Sequence, residues 1–330
     1  MKRKVIYIII VSIFNFVACN NNSKNENKKE VIRIGILQNK PQEWADALKL
    51  GFYDGLTEQG FKVGDDIIII SRSAAGDPIS LSTVAQTLVR DNKIKIIYTL
   101  GTQSSQEVFN LSKNKCIVFG AVTDPVKAGF FEKDLNHPKG NITGTQDLWP
   151  YPAQFELIKE LLPNIKTIGT IYNPSEINSQ VSIQHIKDEC KKNGITLKER
   201  TISSDQEIEI ALNSLISQNI DLFFIPADNT AQAAASIIIN FCDKNKIPVF
   251  TGIPGIVKQG AIATVGTNYY ELGKVNAQQV KQIISQNKKC SEIPVSIADK
   301  GDIYLNIKAL DNLNIKYSDE LLKKAFKVFK

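Results

Sequence analysis

Short polar runs directly follow several apolar runs of this sequence, and their side chains are suited to binding a small charged molecule. Free backbone N–H groups at the start of a helix hold anions such as a carboxylate, and nearby hydroxyl and amide groups assist. Each run taken alone is also what a helix N-cap requires; several together favour a binding site. The runs are Gln38-Asn39, Gly101 to Ser105, Thr123-Asp124-Pro125, Asn173-Pro174-Ser175 with Asn178-Ser179, Asp228-Asn229-Thr230, and Thr251-Gly252.

Two acids among these runs could bind a cation. Asp124 and Asp228 each follow a strand-like run, one in each half of the chain. A carboxylate at the edge of a cleft receives an ammonium group through a charge-assisted hydrogen bond. Asp124, which precedes Pro125, fits equally well as a turn residue.

The chain offers little material for catalysis or metal binding. Its two histidines, His137 and His185, lie far apart and in no triad or metal-ligand pattern. It has no GxSxG nucleophile elbow and no CxxC pair. We therefore expect a protein that is not an enzyme and that uses no metal and no cofactor.

The first 19 residues predict export. Lys2, Arg3 and Lys4 precede an apolar run over residues 5–17, which is too short to span a bilayer and ends at Ala18-Cys19. Cys19 is the expected lipidation site, although Phe16 stands where such signals usually have Leu. Residues 20–30 are polar throughout and predict a flexible tether. The expected location is the cell envelope, periplasmic or cell-surface, where an enzyme dependent on cytosolic ATP or NAD could not work.

Composition limits the remaining classes. About 300 residues follow the tether, enough for two domains. The formal net charge of +6 is spread as interleaved Lys and Glu, so it does not indicate a nucleic-acid partner. Besides Cys19, the cysteines are Cys116, Cys190, Cys242 and Cys290, and their spacing names no disulfide pair.

Strand-like and helix-like segments alternate along the first half. The predicted strands are 31–37, 66–71, 95–100 and 117–121, and the predicted helices are 42–59, 81–91 and 104–111. Apolar strands separated by helices indicate a parallel sheet that is covered on both faces. Residues 140–151, rich in Gly, Pro and turn formers, then indicate a joint between two lobes.

The same order restarts after this joint. Helices are predicted at 154–162, 179–192, 207–218, 230–245, 270–285 and 319–329, and strands at 167–172, 196–201, 222–225, 249–251, 261–265, 296–298 and 303–307. In open parallel sheets, ligands bind beyond the carboxyl ends of the strands, which is where the polar runs lie. The sequence therefore predicts an α/β protein with two lobes and a binding site between them.

Several of these runs belong to longer motifs that occur in a fixed order. They read GTQSSQEV, FGAVTDPVKAGF, HPKGNITG, PAQFELIKELLPNIKTIGTIYNPSEINS, IPADNTA, GAIATVGTNYYELG and YLNIKALDNLNIKYSDELL. Together they resemble the ABC-transporter substrate-binding proteins of the tryptophan- and tyrosine-binding lipoprotein type. The resemblance extends from about Val31 to the C-terminus.

The resemblance implies a fold and a division into lobes. The implied fold is that of type I periplasmic binding proteins: two Rossmann-like lobes joined by a three-stranded hinge. Lobe 1 is expected to comprise residues 31–145 and about 266–288, and lobe 2 residues 146–265 and about 289–330. The implied partners are an ABC permease and its ATPase subunit, and the protein is expected to be a monomer.

The resemblance also implies an amino acid ligand of the aromatic type and roles for particular residues around it. Thr102, Gln103 and Ser104 should hold its carboxylate, and Asp228 with Asn229 should hold its amine. The other expected ligand contacts are Gln38, Thr123, Asp124, Tyr172, Ser175, Asn178, Ser179 and Thr251. An apolar wall for an aromatic ring could come from Trp44, Trp149, Tyr172 or Phe250, although the helical pattern around Trp44 favours a core position.

Alternatives within the same fold stay open. A sugar or nucleoside ligand is less favoured, because sugar sites usually stack rings on Trp and the chain has only two. A receptor or adhesion lipoprotein without a transport role fits the sequence as well. A gene regulator of related fold does not, because an export signal stands where its helix-turn-helix would be.

Overall fold

Two sheets of mostly parallel strands, each covered by helices, form this protein, which a computed structural model describes over residues 31–136, 140–298 and 301–330. Residues 31–330 form one compact unit. The predicted lipidation site, Cys19, and the predicted tether lie outside the described residues. The elements up to the first passage between the sheets are β1 (Ile32–Gln38), α1 (Glu43–Glu58), β2 (Ile67–Ser73), α2 (Pro78–Arg90), β3 (Ile94–Leu100), α3 (Gly101–Leu111), β4 (Cys116–Val122) and β5 (Ile142–Gln146).

The second sheet is built from the next part of the chain, and the last elements are shared between the two sheets. The middle elements are α4 (Tyr151–Leu161), β6 (Thr167–Tyr172), α5 (Ile177–Asn193), β7 (Thr196–Thr201), α6 (Ile208–Ile216), β8 (Leu222–Ile225), α7 (Asn229–Ala233), α8 (Ala235–Lys244), β9 (Val249–Thr251), α9 (Pro254–Gln259) and β10 (Ala263–Gly266). The last are α10 (Tyr269–Gln286), β11 (Ser296–Ile297), β12 (Asp302–Asn306), α11 (Ile307–Asn312), α12 (Asp319–Lys324) and β13 (Lys327–Phe329).

The strand order shows the predicted α/β architecture. The first sheet runs β11-β5-β4-β3-β1-β2, and the second runs β13-β12-β10-β9-β8-β6-β7. All pairings between these strands are parallel except that of β10 with β12. Central strands such as β3 and β8 are buried along almost their whole length, as expected for parallel strands with helices on both faces. We call each sheet with the helices packed on it a lobe, the first and the second.

The chain passes between the lobes three times, and these connections lie where a ligand cleft would close. The first connection, residues 147–150, joins β5 to α4, and the second, residues 267–268, joins β10 to α10. Helix α10 returns to the first lobe and packs along α1. The third connection, between β11 and β12, lies partly outside the described residues.

The third connection between the lobes occurs later in the chain than the sequence predicted. Residues from about 289 onward were expected in the second lobe, but β11 pairs with β5, with Ser296 opposite Thr145. A disulfide between Cys290 and Cys116, whose Cα atoms are 5.9 Å apart, joins this segment to the start of β4. The segment is therefore held at the first sheet. The remaining cysteines of the described chain, Cys190 and Cys242, are buried and free.

The joint expected over residues 140–151 contains the strand β5, which the sequence analysis missed. Its five residues are all buried, and it pairs with β4 beginning at Ile117 opposite Ile142. Gly144 has a φ of +155°, and a Cβ there would lie 2.0 Å from the carbonyl oxygen of Phe119. Gly144, one of the residues that indicated a joint, instead permits close packing of one backbone against another.

Two predicted helices also end differently. The helix predicted over 230–245 is divided into α7 and α8 at Ala234, which is not helical at φ −93° and ψ 12°. The helix predicted to reach residue 329 ends at Lys324, because Phe326 N–H donates to the Ile303 carbonyl and β13 then pairs with β12. No helix among the described residues is long and apolar enough to cross a membrane.

Candidate functional site

A cavity lies between the lobes, at the carboxyl ends of the strands, and the roughly 330 Å³ of empty space there includes open solvent. Residues of both lobes, of the first connection and of the start of α10 line it, so its shape depends on how the lobes are arranged. The lining residues are Trp44, Gly101, Thr102, Ala121, Thr123, Asp147, Trp149, Asn178, Ala227, Asn229, Gln232, Ile253 and Tyr269.

Three aromatic side chains form part of this wall. The rings of Trp44 and Tyr269 pack with their centroids 5.7 Å apart. Trp149, 3% exposed, lies in the first connection directly against the backbone of Gly252, where a Cβ would come within 2.2 Å of the indole. A side chain at residue 252 would therefore displace Trp149. This wall can pack against a flat, apolar ligand group.

Asp147 is the one acid among the lining residues, which include no Lys, Arg or His. Its Oδ1 accepts from the Thr267 hydroxyl at 2.6 Å, and its Oδ2 from the Tyr269 hydroxyl at 2.7 Å. The Tyr269 oxygen in turn accepts from Trp149 Nε1 at 3.3 Å. Burial raises the pKa of Asp147, and its hydrogen bonds with the Thr267 and Tyr269 hydroxyls and the Trp149 indole oppose that rise. A buried carboxylate thus joins the first connection to the second.

The start of α3 presents unpartnered polar groups in the cavity region. The first-turn N–H groups of a helix have no acceptor within that helix. Thr102 lines the cavity, and its hydroxyl oxygen is buried without a hydrogen-bond partner among the described residues. The buried hydroxyl of Ser104 and the Asn178 Oδ1 also lack partners there. Donors at a helix start match an incoming carboxylate.

Asp228 lies in a separate polar cluster of the second lobe. Its Oδ1 accepts from Ala231 N–H at 2.6 Å as the N-cap of α7, and its Oδ2 accepts from Asn173 N–H at 2.6 Å. The neighbouring Glu176, 2% exposed, accepts from the Asn229 backbone and side chain and from Thr230. Burial and then the charge of Glu176 raise the pKa of Asp228 to about 7. Asp228 does not line the cavity.

The structure brings four of the predicted site residues to the cavity wall: Thr102, Thr123, Asn178 and Asn229. Ser104 and Ser179 are buried next to Thr102 and Asn178 in sequence, and Thr251 is buried at the end of β9, but none of the three lines the cavity. Tyr172 is half-buried at the end of β6. Three other predicted residues form hydrogen bonds away from the cavity. Gln38 bonds to Lys40 and Lys49, and Asp124 accepts from the N–H groups of Val126 and Lys127. Ser175 donates to Asn173.

Gln103 joins the lobes instead of lining the cavity. Its Oε1 accepts from Asn229 Nδ2 at 3.2 Å, and also from Asn39. Gln42 Nε2 donates to the Asn229 carbonyl at 3.2 Å. At the surface, Lys40 of the first lobe pairs with Asp205 of the second at 3.4 Å. The lobes are therefore in direct contact around the cavity.

Sequence reasoning missed Asp147 and Tyr269, and it favoured a core position for Trp44. Asp147 directly follows β5, so it obeys the same rule that selected Asp124 and Asp228, but that strand was not recognised. Tyr269 begins α10 directly after the second connection. Recognition of ITGTQ as a strand would have selected Asp147 from the sequence. No group of His, Cys, Asp and Glu residues suited to a metal occurs in the described ranges.

Comparison with known proteins shows a match to one protein family. The family model described as "ABC transporter substrate binding protein" matches residues 33–329. A protein named "Tyrosine-binding protein" from Clostridioides difficile (strain R20291) is 36% identical over 318 residues, covering 93% of this chain and 91% of that protein.

Two solved structures of related proteins differ in how closely their backbones match this chain. An ABC domain from Streptococcus pneumonia in complex with L-Trp is 29% identical, with a TM-score of 0.86, covering 91% of this chain and 100% of that one. A ligand-free, open substrate-binding protein with adhesive properties from Clostridium difficile is 34% identical, but its TM-score is 0.68, with 91% and 100% covered. The backbone is thus closer to the complexed structure than to the open one, in spite of lower identity.

Proposed function

Because the chain belongs to the family of ABC-transporter substrate-binding proteins and has a type I periplasmic-binding-protein fold, we propose that it binds an aromatic amino acid and delivers it to a membrane permease. The observation that carries the proposal is the cavity between the lobes, walled by Trp44, Trp149 and Tyr269. The names of the two related proteins, which refer to tyrosine and to L-Trp, support this ligand class.

The ligand's carboxylate is assigned to the start of α3. Backbone N–H groups there and the unpartnered Thr102 hydroxyl supply donors to an anion. Thr123, Asn178 and Asn229 supply further polar contacts on the cavity wall. The indole and phenol groups of the wall receive the aromatic side chain, since aromatic rings gain both from burial and from packing edge to face.

Closure of the lobes links binding to delivery. The contacts of Asn229 with Gln103 and Gln42 exist only while the lobes are together. A ligand that bridges the lobes favours the closed arrangement, and the permease with its ATPase recognises that form. The protein acts outside the cytoplasm as a monomer, anchored to a membrane by lipid on Cys19.

Isothermal titration tests the proposal on the chain from residue 20 onward, after unfolding and refolding to strip any bound ligand. Tyrosine, tryptophan and phenylalanine are titrated first, then leucine and ribose as controls. Micromolar or tighter binding of an aromatic amino acid, with leucine and ribose weaker, is expected. Heat from ribose but from none of the amino acids would refute the ligand class.

Gly252→Val provides a site-specific companion to this titration. Its side chain would occupy the place where the Trp149 indole now lies, so aromatic binding should fall by at least about tenfold. Gly129→Val is the matched control, because a Cβ there meets nothing within 4 Å, although its φ of +87° costs some backbone strain. Equal affinity in the two variants would exclude Trp149 from the site.

A further inference from the structure

The cavity wall carries a negative charge that nothing in the described protein neutralises. Asp147 is 5% exposed, and Lys, Arg and His are absent from the lining. Taking a carboxylate out of water without a counter-ion is costly, and proteins usually compensate such a charge with a cation. The side chains that interact with the carboxylate, the Thr267 and Tyr269 hydroxyls and the Trp149 indole, are all neutral.

The carboxylate also has unused acceptor capacity. An ionised carboxyl group accepts about four hydrogen bonds, and Asp147 receives one on each oxygen from the two hydroxyls. Both donors belong to the second connection or to the residue that follows it. They fix the orientation of the group from one side while the residue remains part of the cavity wall.

We propose that Asp147 is the specificity-determining residue that receives the ammonium group of the ligand. This inference rests on the proposed function, because it concerns the amine of the same amino acid. A primary ammonium supplies the missing positive charge and three donors to the free acceptor positions. Ligands that lack this group leave a buried charge uncompensated and are rejected.

The other acids near the cleft lack these properties. Both oxygens of Asp228 are already bound by backbone N–H groups that belong to Asn173 and Ala231. Asp124 accepts from the two N–H groups of its own turn. Neither lines the cavity, and neither does Glu176.

The position of Asp147 has a consequence for closure. It lies in the first connection, and its hydroxyl partners Thr267 and Tyr269 lie in and just after the second. The bound ammonium therefore contacts the first connection, which Asp147 joins to the second connection and to the start of α10. The ligand's own carboxylate, which we assign to the start of α3, contacts the first lobe.

The experiment compares amino acids with their des-amino analogues. Tyrosine is measured against 3-(4-hydroxyphenyl)propanoate, and tryptophan against indole-3-propanoate, by isothermal titration with the wild-type protein. Each analogue keeps the ring and the carboxylate and lacks only the ammonium. A loss of about 100-fold in affinity is expected for the analogue.

The same ligands are then measured with Asp147→Asn. This variant should lose about 100-fold in affinity for the amino acid, and its affinity for the des-amino analogue should change by less than about threefold. Asp221→Asn is the matched control for an Asp-to-amide change, since its carboxylate accepts from Lys166 and Thr167 N–H in the second lobe, away from the cavity. Circular dichroism and thermal unfolding report whether each variant folds.

Every outcome of these titrations decides something. Equal affinity of the wild-type protein for an amino acid and its analogue would overturn the assignment. So would full amino-acid affinity in a folded Asp147→Asn variant. If that variant does not fold, Asp228→Asn decides: selective loss of the amino acid over its analogue there would overturn the role of Asp147. No binding of any amino acid to the wild-type protein would refute the proposed function itself.

Discussion

Asp147 and Asp228 are both almost inaccessible to solvent and both follow a strand, but their surroundings differ in kind. Asp147 accepts from two side-chain hydroxyls, lines the cavity and has no cation beside it. Asp228 accepts from two backbone N–H groups and lies beside a second acid, outside the lining. If Asp147 binds the ligand as we propose, free acceptor capacity facing a cavity, rather than burial or position after a strand, distinguishes a binding acid from a structural one.

The structural role of Asp228 follows from what it connects. Its carboxylate joins the N-terminus of α7 to Asn173, the residue after β6, while Glu176 next to it binds Asn229 and Thr230. Two buried acids are tolerated there because N–H and hydroxyl donors surround both. This cluster supports the loop that carries Asn229 to the cavity wall.

Asp228→Ala should show the largest effect on stability. It removes the cap of α7 and leaves the Asn173 N–H without an acceptor, so the free energy of unfolding should fall by roughly 3 kcal/mol. Urea unfolding measures this. Affinity for the amino acid should change little in the protein that remains folded.

Asp77→Ala is the control for the capping effect alone. Asp77 caps α2 by accepting from Ser80 N–H at 2.7 Å, but it is exposed, so water can replace it and a smaller loss is expected. An Asp228→Ala protein that is fully stable but no longer binds amino acids would reverse the contrast with Asp147.

Tyr269→Phe tests the hydroxyl side of the comparison. It removes the hydroxyl that donates to Asp147 Oδ2 and accepts from the buried Trp149 Nε1, which should lower the free energy of unfolding by about 2 kcal/mol. Tyr270→Phe is the matched control next to it, because the Tyr270 hydroxyl donates to Asp54 at a partly exposed site. Equal stability of the two variants would show that the hydrogen bonds to Asp147 are not needed for folding.

The pH dependence of stability should distinguish the structural acid. The pKa of Asp228 is raised to about 7, above the ordinary value of about 4 that it has in the unfolded chain. The folded protein therefore binds a proton more tightly, so the contribution of this group is fully present below about pH 4 and is lost as pH rises to about 7. The slope cannot exceed about 1.4 kcal/mol per pH unit.

The measurement is the difference in unfolding free energy between the wild-type protein and Asp228→Asn from pH 4 to pH 8. Other titrating groups largely cancel in this difference. The wild-type protein should lose stability relative to the variant up to about pH 7, and the difference should then level off. Parallel curves would mean that Asp228 is an ordinary carboxylate, with no penalty for its charge.

Much of the fold could be predicted from the sequence because its central strands are long apolar runs. The strands at 167–172, 196–201, 222–225 and 249–251 have the predicted bounds in the structure. Strand β5 was missed because its segment was interpreted as a joint rich in Gly, Pro and turn formers, and its burial depends on packing against β4 and α10, which are distant in sequence. The ends of the helices were less predictable, since tertiary contacts such as Phe326 with Ile303 decide them.

The candidate site could be predicted in its location but not in its acid. The rule that ligands bind beyond strand ends led to Thr102, Thr123, Asn178 and Asn229, which do line the cavity. It could not separate Asp147 from the other acids, because free acceptor capacity depends on partners distant in sequence. Thr267 and Tyr269 are such partners, about 120 residues from Asp147.

Lys40→Ala should have the smallest effect on affinity. It tests how much a surface ion pair between the lobes contributes beside the buried acids. Lys40 pairs with Asp205 across the lobes, but the two side chains are 25% and 56% exposed, so the pair is worth less than about 1 kcal/mol. Affinity should fall by less than about fivefold, and the loss should disappear in 1 M salt. Lys187→Ala, which breaks a pair with Glu199 inside the second lobe, should leave affinity unchanged. A tenfold or larger loss of affinity for Lys40→Ala would mean that closure of the lobes depends on surface charge. A small loss would agree with the proposal that the contact of the ligand with Asp147 contributes more to affinity.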